Sequence, residues 1–129
     1  MNSDKGLTTK LSDRLGPVRG AALVAAESTL PIGPLYGGAF LVEDVENIRV
    51  TIQNVGANPT VVGKAQINDF SPLEADEHWA DLTPADGSLA NLAVSAQGVA
   101  LFQGSGHRWM RIRASSANGT SVDAAVTGR

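Results

Sequence analysis

Few side chains in this sequence could carry chemistry. The chain has no cysteine, which excludes thiol nucleophiles, thiolate zinc sites and disulfides. Its two histidines, His78 and His107, lie in different segments and do not form the set of three or four ligands that zinc requires. No G-x-S-x-G motif marks a nucleophile, and Ser105, between two glycines, is typical of a hairpin turn. We therefore expect a protein that is not an enzyme, with no catalytic residue, metal site or cofactor.

An acidic stretch covers residues 71–91 and offers oxygen ligands of the kind that calcium binds. Its carboxylates are Glu74, Asp76, Glu77, Asp81 and Asp86. The stretch lacks the D-x-[DN]-x-[DN]-G order of a known calcium loop, and acidic loops are ordinarily just solvated. The sequence leaves open whether this stretch binds calcium.

The segment 107–113 (HRWMRIR) places three arginines beside a tryptophan. Such a cluster could stack on a nucleic acid and neutralise it. In a strand, however, Arg111 and Arg113 share one face, while Met110 and Ile112 share the other. Because the body of the chain is acidic, we favour arginines that pair with carboxylates across a sheet, and we expect no nucleic-acid partner.

The elements that position these residues are predicted to be β-strands. Residues 47–53 alternate strictly, with Ile48, Val50 and Ile52 on one face. Turn clusters rich in Gly, Asn, Ser and Pro separate this segment from four further predicted strands, at 60–70, 92–102, 107–114 and 121–126. With no convincing amphipathic helix, the pattern predicts an all-β fold, an antiparallel β-sandwich or jelly-roll-like single domain.

The middle of the acidic stretch has two interpretations. Residues 77–82 could form a short strand with Trp79 turned inward. Residues 73–77 could instead form a single helical turn.

The first 20 residues differ from the rest of the chain in charge. They carry a net charge of +2 and the remainder −5, which gives the total of −3. We predict an extended N-terminal arm over residues 1–20, with a short helix over 8–15 as the alternative, and a β-sandwich domain over residues 21–129. A frayed, solvated terminus would have the same composition. The arm residues expected to contact a partner are Lys5, Leu7, Lys10, Leu11, Arg14, Leu15 and Arg19.

Targeting signals are not evident. No stretch approaches the roughly 20 apolar residues of a membrane helix, so no membrane partner is expected. The first residues lack the apolar region of a signal peptide, and we expect synthesis in a host cytoplasm.

The order of these elements resembles a known family. Five segments follow one another with Gly-rich turns between them, namely 47–53 (NIRVTIQ), 63–67 (GKAQI), 79–82 (WADL), 108–114 (RWMRIRA) and the closing 122–128. The series looks like the small β-sandwich modules of tailed-bacteriophage virions, which include capsid decoration (cement) proteins and tail or fibre adaptors. These modules often pair a Trp-x-x-Leu segment with a late strand of the form aromatic-x-Arg-Val/Ile-Arg.

The resemblance implies a structural virion protein. The first interpretation is a capsid decoration protein that binds the major capsid protein or another virion protein and stabilises the particle. Such a protein is expected to form a homo-oligomer, for example a trimer. The alternative is a carbohydrate-binding or receptor-binding β-sandwich module of a phage tail or fibre. That module would need exposed aromatic rings to stack on sugars, for which Tyr36, Trp79 and Trp109 are the candidates.

Overall fold

The computed structural model describes residues 14–33 and 36–129. Within these ranges the chain forms strands and one turn of 3-10 helix, and none of its helices is long and apolar enough to cross a membrane. The strands are β1 Arg14–Leu23, β2 Ser28–Thr29, β3 Phe40–Leu41, β4 Asn47–Asn54, β5 Val61–Asn68, β6 Ala80–Leu82, β7 Asp86–Gly87, β8 Gln97–Gln103, β9 Trp109–Ser116 and β10 Thr120–Gly128. The 3-10 helix, Asp76–His78, lies between β5 and β6.

The strands form two antiparallel sheets with one hydrophobic core between them. Sheet 1 has the order β1-β10-β4-β8-β7, and sheet 2 has the order β2-β9-β5-β6, with β3 also paired to β9. The connection 104–108 carries the chain from β8 in sheet 1 to β9 in sheet 2. The predicted all-β sandwich is therefore confirmed.

Alternating apolar residues build the core, as the sequence predicts. In β4, Ile48, Val50 and Ile52 are buried between the sheets. In β9, Met110 and Ile112 are fully buried in the same core. The period of two works because successive side chains of a strand point to opposite faces of its sheet.

The strand predicted at residues 92–102 begins later than expected, at Gln97. Asn91 and Ser95 both have positive φ angles, 58° and 65°. Such angles interrupt an extended strand, because non-glycine residues adopt them mainly in turns. Leu92 still enters the core, through an isolated bridge to Val61.

The boundary placed between residues 20 and 21 falls inside β1, an edge strand that pairs with β10. Leu15 and Val18 lie partly buried against the core. The pairing register of β1 with β10 shifts between Leu15 and Val18, and again between Val18 and Ala21. Because of these shifts, residues three apart in sequence face the core, and β1 lacks the strict period of two. Gly16 and Gly20 have positive φ angles of 91° and 62°, which glycine adopts without strain at such bulges.

Two truncations distinguish the strand from the segment before it. Removing residues 1–20 takes away most of β1 and the contacts of Leu15 and Val18, so we expect the free energy of unfolding to fall by roughly 2–4 kcal/mol. Removing residues 1–13 leaves all of β1 and should change it by less than about 1 kcal/mol. Urea unfolding followed by circular dichroism measures both. Equal stability of the two truncated proteins would mean that β1 contributes little.

Candidate interaction surface

Two large apolar side chains are strongly exposed on the connection between β5 and β6, residues 69–79, which we call the β5–β6 loop. Phe70 is 87% exposed and Leu73 is 73% exposed. The other exposed large apolar residues of the described chain are all less accessible and are Val24, Val55, Val62, Val94 and Leu101. Single exposed apolar residues are ordinary, but two large ones on one short loop are typical of a contact surface.

The side chain of Asn68 holds the backbone beneath these two residues. Asn68 is buried, and its Oδ1 accepts hydrogen bonds from the N–H groups of Phe70 (2.7 Å) and Ser71 (3.1 Å). Its Nδ2 donates to the carbonyl of His78 at 2.9 Å, across the loop. The hydroxyl of Ser71 accepts from the N–H of Leu73 at 3.1 Å. The loop therefore presents its apolar side chains from a fixed backbone, which lowers the entropy cost of binding.

Both histidines of the chain help to fix this loop. A ring nitrogen of His107 lies 3.2 Å from the carboxylate of Asp69, which also accepts the N–H of Arg108 at 2.9 Å. His78 lies 2.9 Å from Glu74 within the loop. Burial raises the pKa of Asp69, but the hydrogen bonds from Arg108 and His107 outweigh burial and leave this pKa below its ordinary value. In the described chain no group of three or more His, Asp or Glu side chains is placed to hold a metal ion.

Beside the loop, seven polar side chains form a closed ring of contacts on the outer face of sheet 2, which we call the outer polar network. Successive members are 2.9 to 3.8 Å apart, in the order Glu27, Lys64, Asp81, Gln66, Arg111, Asp76, Arg113 and back to Glu27. Lys64 lies directly opposite Arg113 in the β5–β9 register, an unfavourable like-charge pair. Glu27 contacts both of these cations and so offsets their repulsion.

Arg111 attaches the loop to the sheet. Its side chain is only 9% exposed, donates from Nε to Gln66 at 2.9 Å and pairs through Nη1 with Asp76 of the 3-10 helix at 3.0 Å. Its guanidinium lies 4.5 Å from the ring centroid of Trp79. Burial lowers the pKa of Arg111, and the bond to Asp76 acts in the opposite direction. The prediction that Arg111 and Arg113 pair with carboxylates is confirmed, but the partners Asp76 and Glu27 lie outside the strands of the sheet.

Trp79 is buried, but away from the main core. It is 7% exposed, its Nε1 donates to the carbonyl of Glu74 at 3.1 Å, and it is absent from the cluster of core residues between the sheets. The prediction that Trp79 turns inward is confirmed as far as its burial, but Trp79 packs outside the core between the sheets. The strand predicted over residues 77–82 begins three residues later, at Ala80, and the predicted helical turn lies at Asp76–His78, so both interpretations hold in part. Trp79 lies between these two elements and covers Arg111.

The aromatic side chains proposed for sugar stacking are largely occupied by contacts within the protein. The rings of Tyr36 and Trp109 pack edge to face at 5.2 Å, and both residues are partly buried. Trp79 contacts Arg111. The most exposed aromatic ring among the described residues is that of Phe70, which the sequence pattern had placed at the end of a strand.

The arm residues proposed as partner contacts fall into two groups. Lys5, Leu7, Lys10 and Leu11 lie outside the described residues. Arg14 and Leu15 begin β1, and Leu15 packs against the core. Arg19 is exposed and pairs with Asp123 of β10 at 3.0 Å. The structure does not bring these last three residues together with the β5–β6 loop, which lies on the other sheet.

Phe70, Leu73 and Asn68 were missed by pattern analysis. Their sequence, Asn68-Asp69-Phe70-Ser71-Pro72, carries the signal that could have found them, since Asn and Ser side chains accept N–H groups two residues on and so fix turns. What the pattern could not supply is the exposure of the two apolar side chains, which depends on the sheet beneath.

Comparison with known proteins gives structural likeness without a matching family. No family model matches the chain, and no curated protein matches it. Among solved structures, the chain is similar to the crystal structure of the SPBc2 prophage-derived protein YomS, with 14% sequence identity and a TM-score of 0.48 over 91% of this chain and 94% of that one. A likeness at this level supports no conclusion about function.

The lowered pKa of Asp69 predicts acid sensitivity of the loop. A carboxylate with a depressed folded-state pKa stabilises the fold above its unfolded value, near 3.8, and loses that contribution as pH falls through the folded value. Compared with Asp69→Asn, the wild-type protein should be more stable at neutral pH, by less than about 1 kcal/mol because the carboxylate is half exposed. The difference should shrink as pH falls below 3.8 and the carboxylate becomes protonated in both states. Thermal unfolding across this range measures it, and a difference that grows in acid would contradict the assignment.

Arg111 is expected to be the most sensitive member of the outer polar network. Arg111→Ala removes the contacts with Gln66, Asp76 and Trp79 and should lower the free energy of unfolding by about 3 kcal/mol. The control is Arg108→Ala, whose half-exposed ion pair with Glu43 is expected to contribute less than about 1 kcal/mol. Urea unfolding of both variants tests this ranking, and equal losses would show that the buried position of Arg111 has no special weight.

Proposed function

We propose that this chain is a structural virion protein of a tailed bacteriophage, and specifically a capsid decoration protein that binds the major capsid protein and stabilises the particle. The observation that carries the proposal is the β5–β6 loop, in which a buried asparagine and a buried arginine hold Phe70 and Leu73 in solvent. Exposed apolar side chains on a fixed backbone serve protein–protein contact, since they gain from burial and lose little entropy.

The sequence resemblance to virion β-sandwich modules supports the same function. On a particle, one small domain occupies many equivalent positions, so each contact can be weak and still give a stable shell through repetition. The outer polar network suits this role, because it fixes the β5–β6 loop on sheet 2 through contacts within the protein. The carbohydrate-binding alternative is less favoured, because Trp79 covers Arg111 and the other two candidate rings pack on each other.

The segment before β1 is proposed to contact the capsid. It contains Lys5, Leu7, Lys10 and Leu11, which combine positive charge with apolar side chains. Because β1 ties this segment to the edge of sheet 1, each copy of the domain would present it from a fixed starting point.

Co-sedimentation with capsids tests the function. Capsids of a tailed phage that encodes this chain, prepared without it, are mixed with the purified full chain, and bound protein is measured in the pellet. We expect saturable binding by the full chain and at least about tenfold weaker binding after removal of residues 1–13, which leaves β1 intact. A quadruple variant with alanine at Lys5, Leu7, Lys10 and Leu11 should behave like the truncation.

The matched control is the double variant Val24→Ala/Val94→Ala, which removes exposed apolar side chains elsewhere and should bind normally. Failure of the full chain to bind capsids would contradict the proposed decoration role. Undiminished binding by the protein that lacks residues 1–13 would be consistent with the decoration role but would show that these residues do not contact the capsid.

A further inference from the structure

The outer face of sheet 1 contains a groove of about 1220 Å³, which lies apart from the β5–β6 loop and the outer polar network. Four of its lining residues form one row across adjacent strands, since Thr127 pairs with Arg49, Arg49 with Leu101, and Leu101 with Asp86. Leu101 is 41% exposed in this row, and Val99 lies beside it on the same face of β8. The groove thus has an apolar floor among polar side chains.

The charges of the groove and of the β5–β6 loop are opposite. The groove lining contains Arg49 and Arg129 and a single carboxylate, Asp86. The loop contains four carboxylates and no lysine or arginine. Three of the four already have partners, whereas exposed Glu77 forms no ion pair among the described residues. Phe70 and Leu73 supply the apolar groups that a floor of leucine and valine would cover.

Loop and groove lie at the same end of the sandwich but on different sheets. The loop follows the end of β5, where Asn68 pairs with Trp109 at the start of β9. The groove includes Gln103 at the end of β8, paired with Asn47. The short connection 104–108 joins these two strand ends and also holds Asp69 of the loop. A loop on sheet 2 therefore cannot enter the groove of its own domain.

We propose that the β5–β6 loop of one copy of this chain docks in the sheet 1 groove of a second copy. The contact is heterologous, with a different surface on each side, so successive copies form a closed ring when the rotation between them closes. The inference rests on the proposed function in one respect, since it assigns the β5–β6 loop to contact between copies and leaves the capsid contact to the segment before β1. Each copy in such a ring would carry its own N-terminal segment to the capsid, and the ring would bind through several of them at once.

The mass of the full chain in solution, without capsids, tests the contact. Sedimentation velocity is measured for the wild type, for the loop variant Phe70→Ala/Leu73→Ala and for the groove variant Arg49→Glu/Leu101→Ala, from micromolar concentrations up to about 1 mM. We expect the wild type to associate and each variant to associate at least about tenfold more weakly. The control Val24→Ala/Val94→Ala should associate as the wild type does. All the substituted side chains are exposed, so each variant should fold, and circular dichroism is used to check this.

Mixing the two variants gives the sharper result. The loop variant keeps an intact groove and the groove variant keeps an intact loop, so the mixture should form a one-to-one complex with about wild-type affinity and grow no further. A wild type that stays monomeric throughout, variants that associate normally, or a mixture without complex would each overturn the contact. Because capsid binding is measured separately, a monomer that binds capsids defeats this inference alone, and an oligomer that ignores capsids defeats the proposed function alone.

Discussion

The whole architecture of this domain follows from the burial of alternate side chains between two sheets. Each core strand places every second residue inside, as β4 does with Ile48, Val50 and Ile52. The residues between them must then face outward, so each sheet has an outer face whose composition the core does not restrict. On sheet 1 that face forms a groove, and on sheet 2 it carries the outer polar network.

In the outer polar network, charged side chains restrict one another's positions through a closed set of contacts. Its members form a ring in which each side chain contacts two others, so fixing one restricts the next. Isolated surface ion pairs stabilise proteins little, because ordering two long side chains costs entropy. Here Arg111 is buried by Trp79, and its partner Asp76 belongs to the loop. The network therefore ties the β5–β6 loop to the outer face of sheet 2.

The proposed assembly follows from this division of the molecule. The core makes the domain stable, and two outer features remain for contacts with other proteins. The outer polar network and the buried Asn68 hold the loop in a conformation in which Phe70 and Leu73 are exposed. Keeping them exposed costs stability in the free protein, which is the expected balance for a surface that is covered in an assembly.

The all-β class, the strands β4, β5, β9 and β10 to within a few residues, and the pairing of Arg111 and Arg113 with carboxylates could all be predicted from the sequence. These follow from local period and charge, which act over a few residues of the chain. That β1 joins sheet 1 could not be predicted, because two register shifts break the period of two in this strand, and it became evident from the fold. The fold also shows that Trp79 covers Arg111, and that loop and groove lie at one end on different sheets. Those facts depend on strands distant in sequence being brought together, and no local pattern encodes which strands become neighbours.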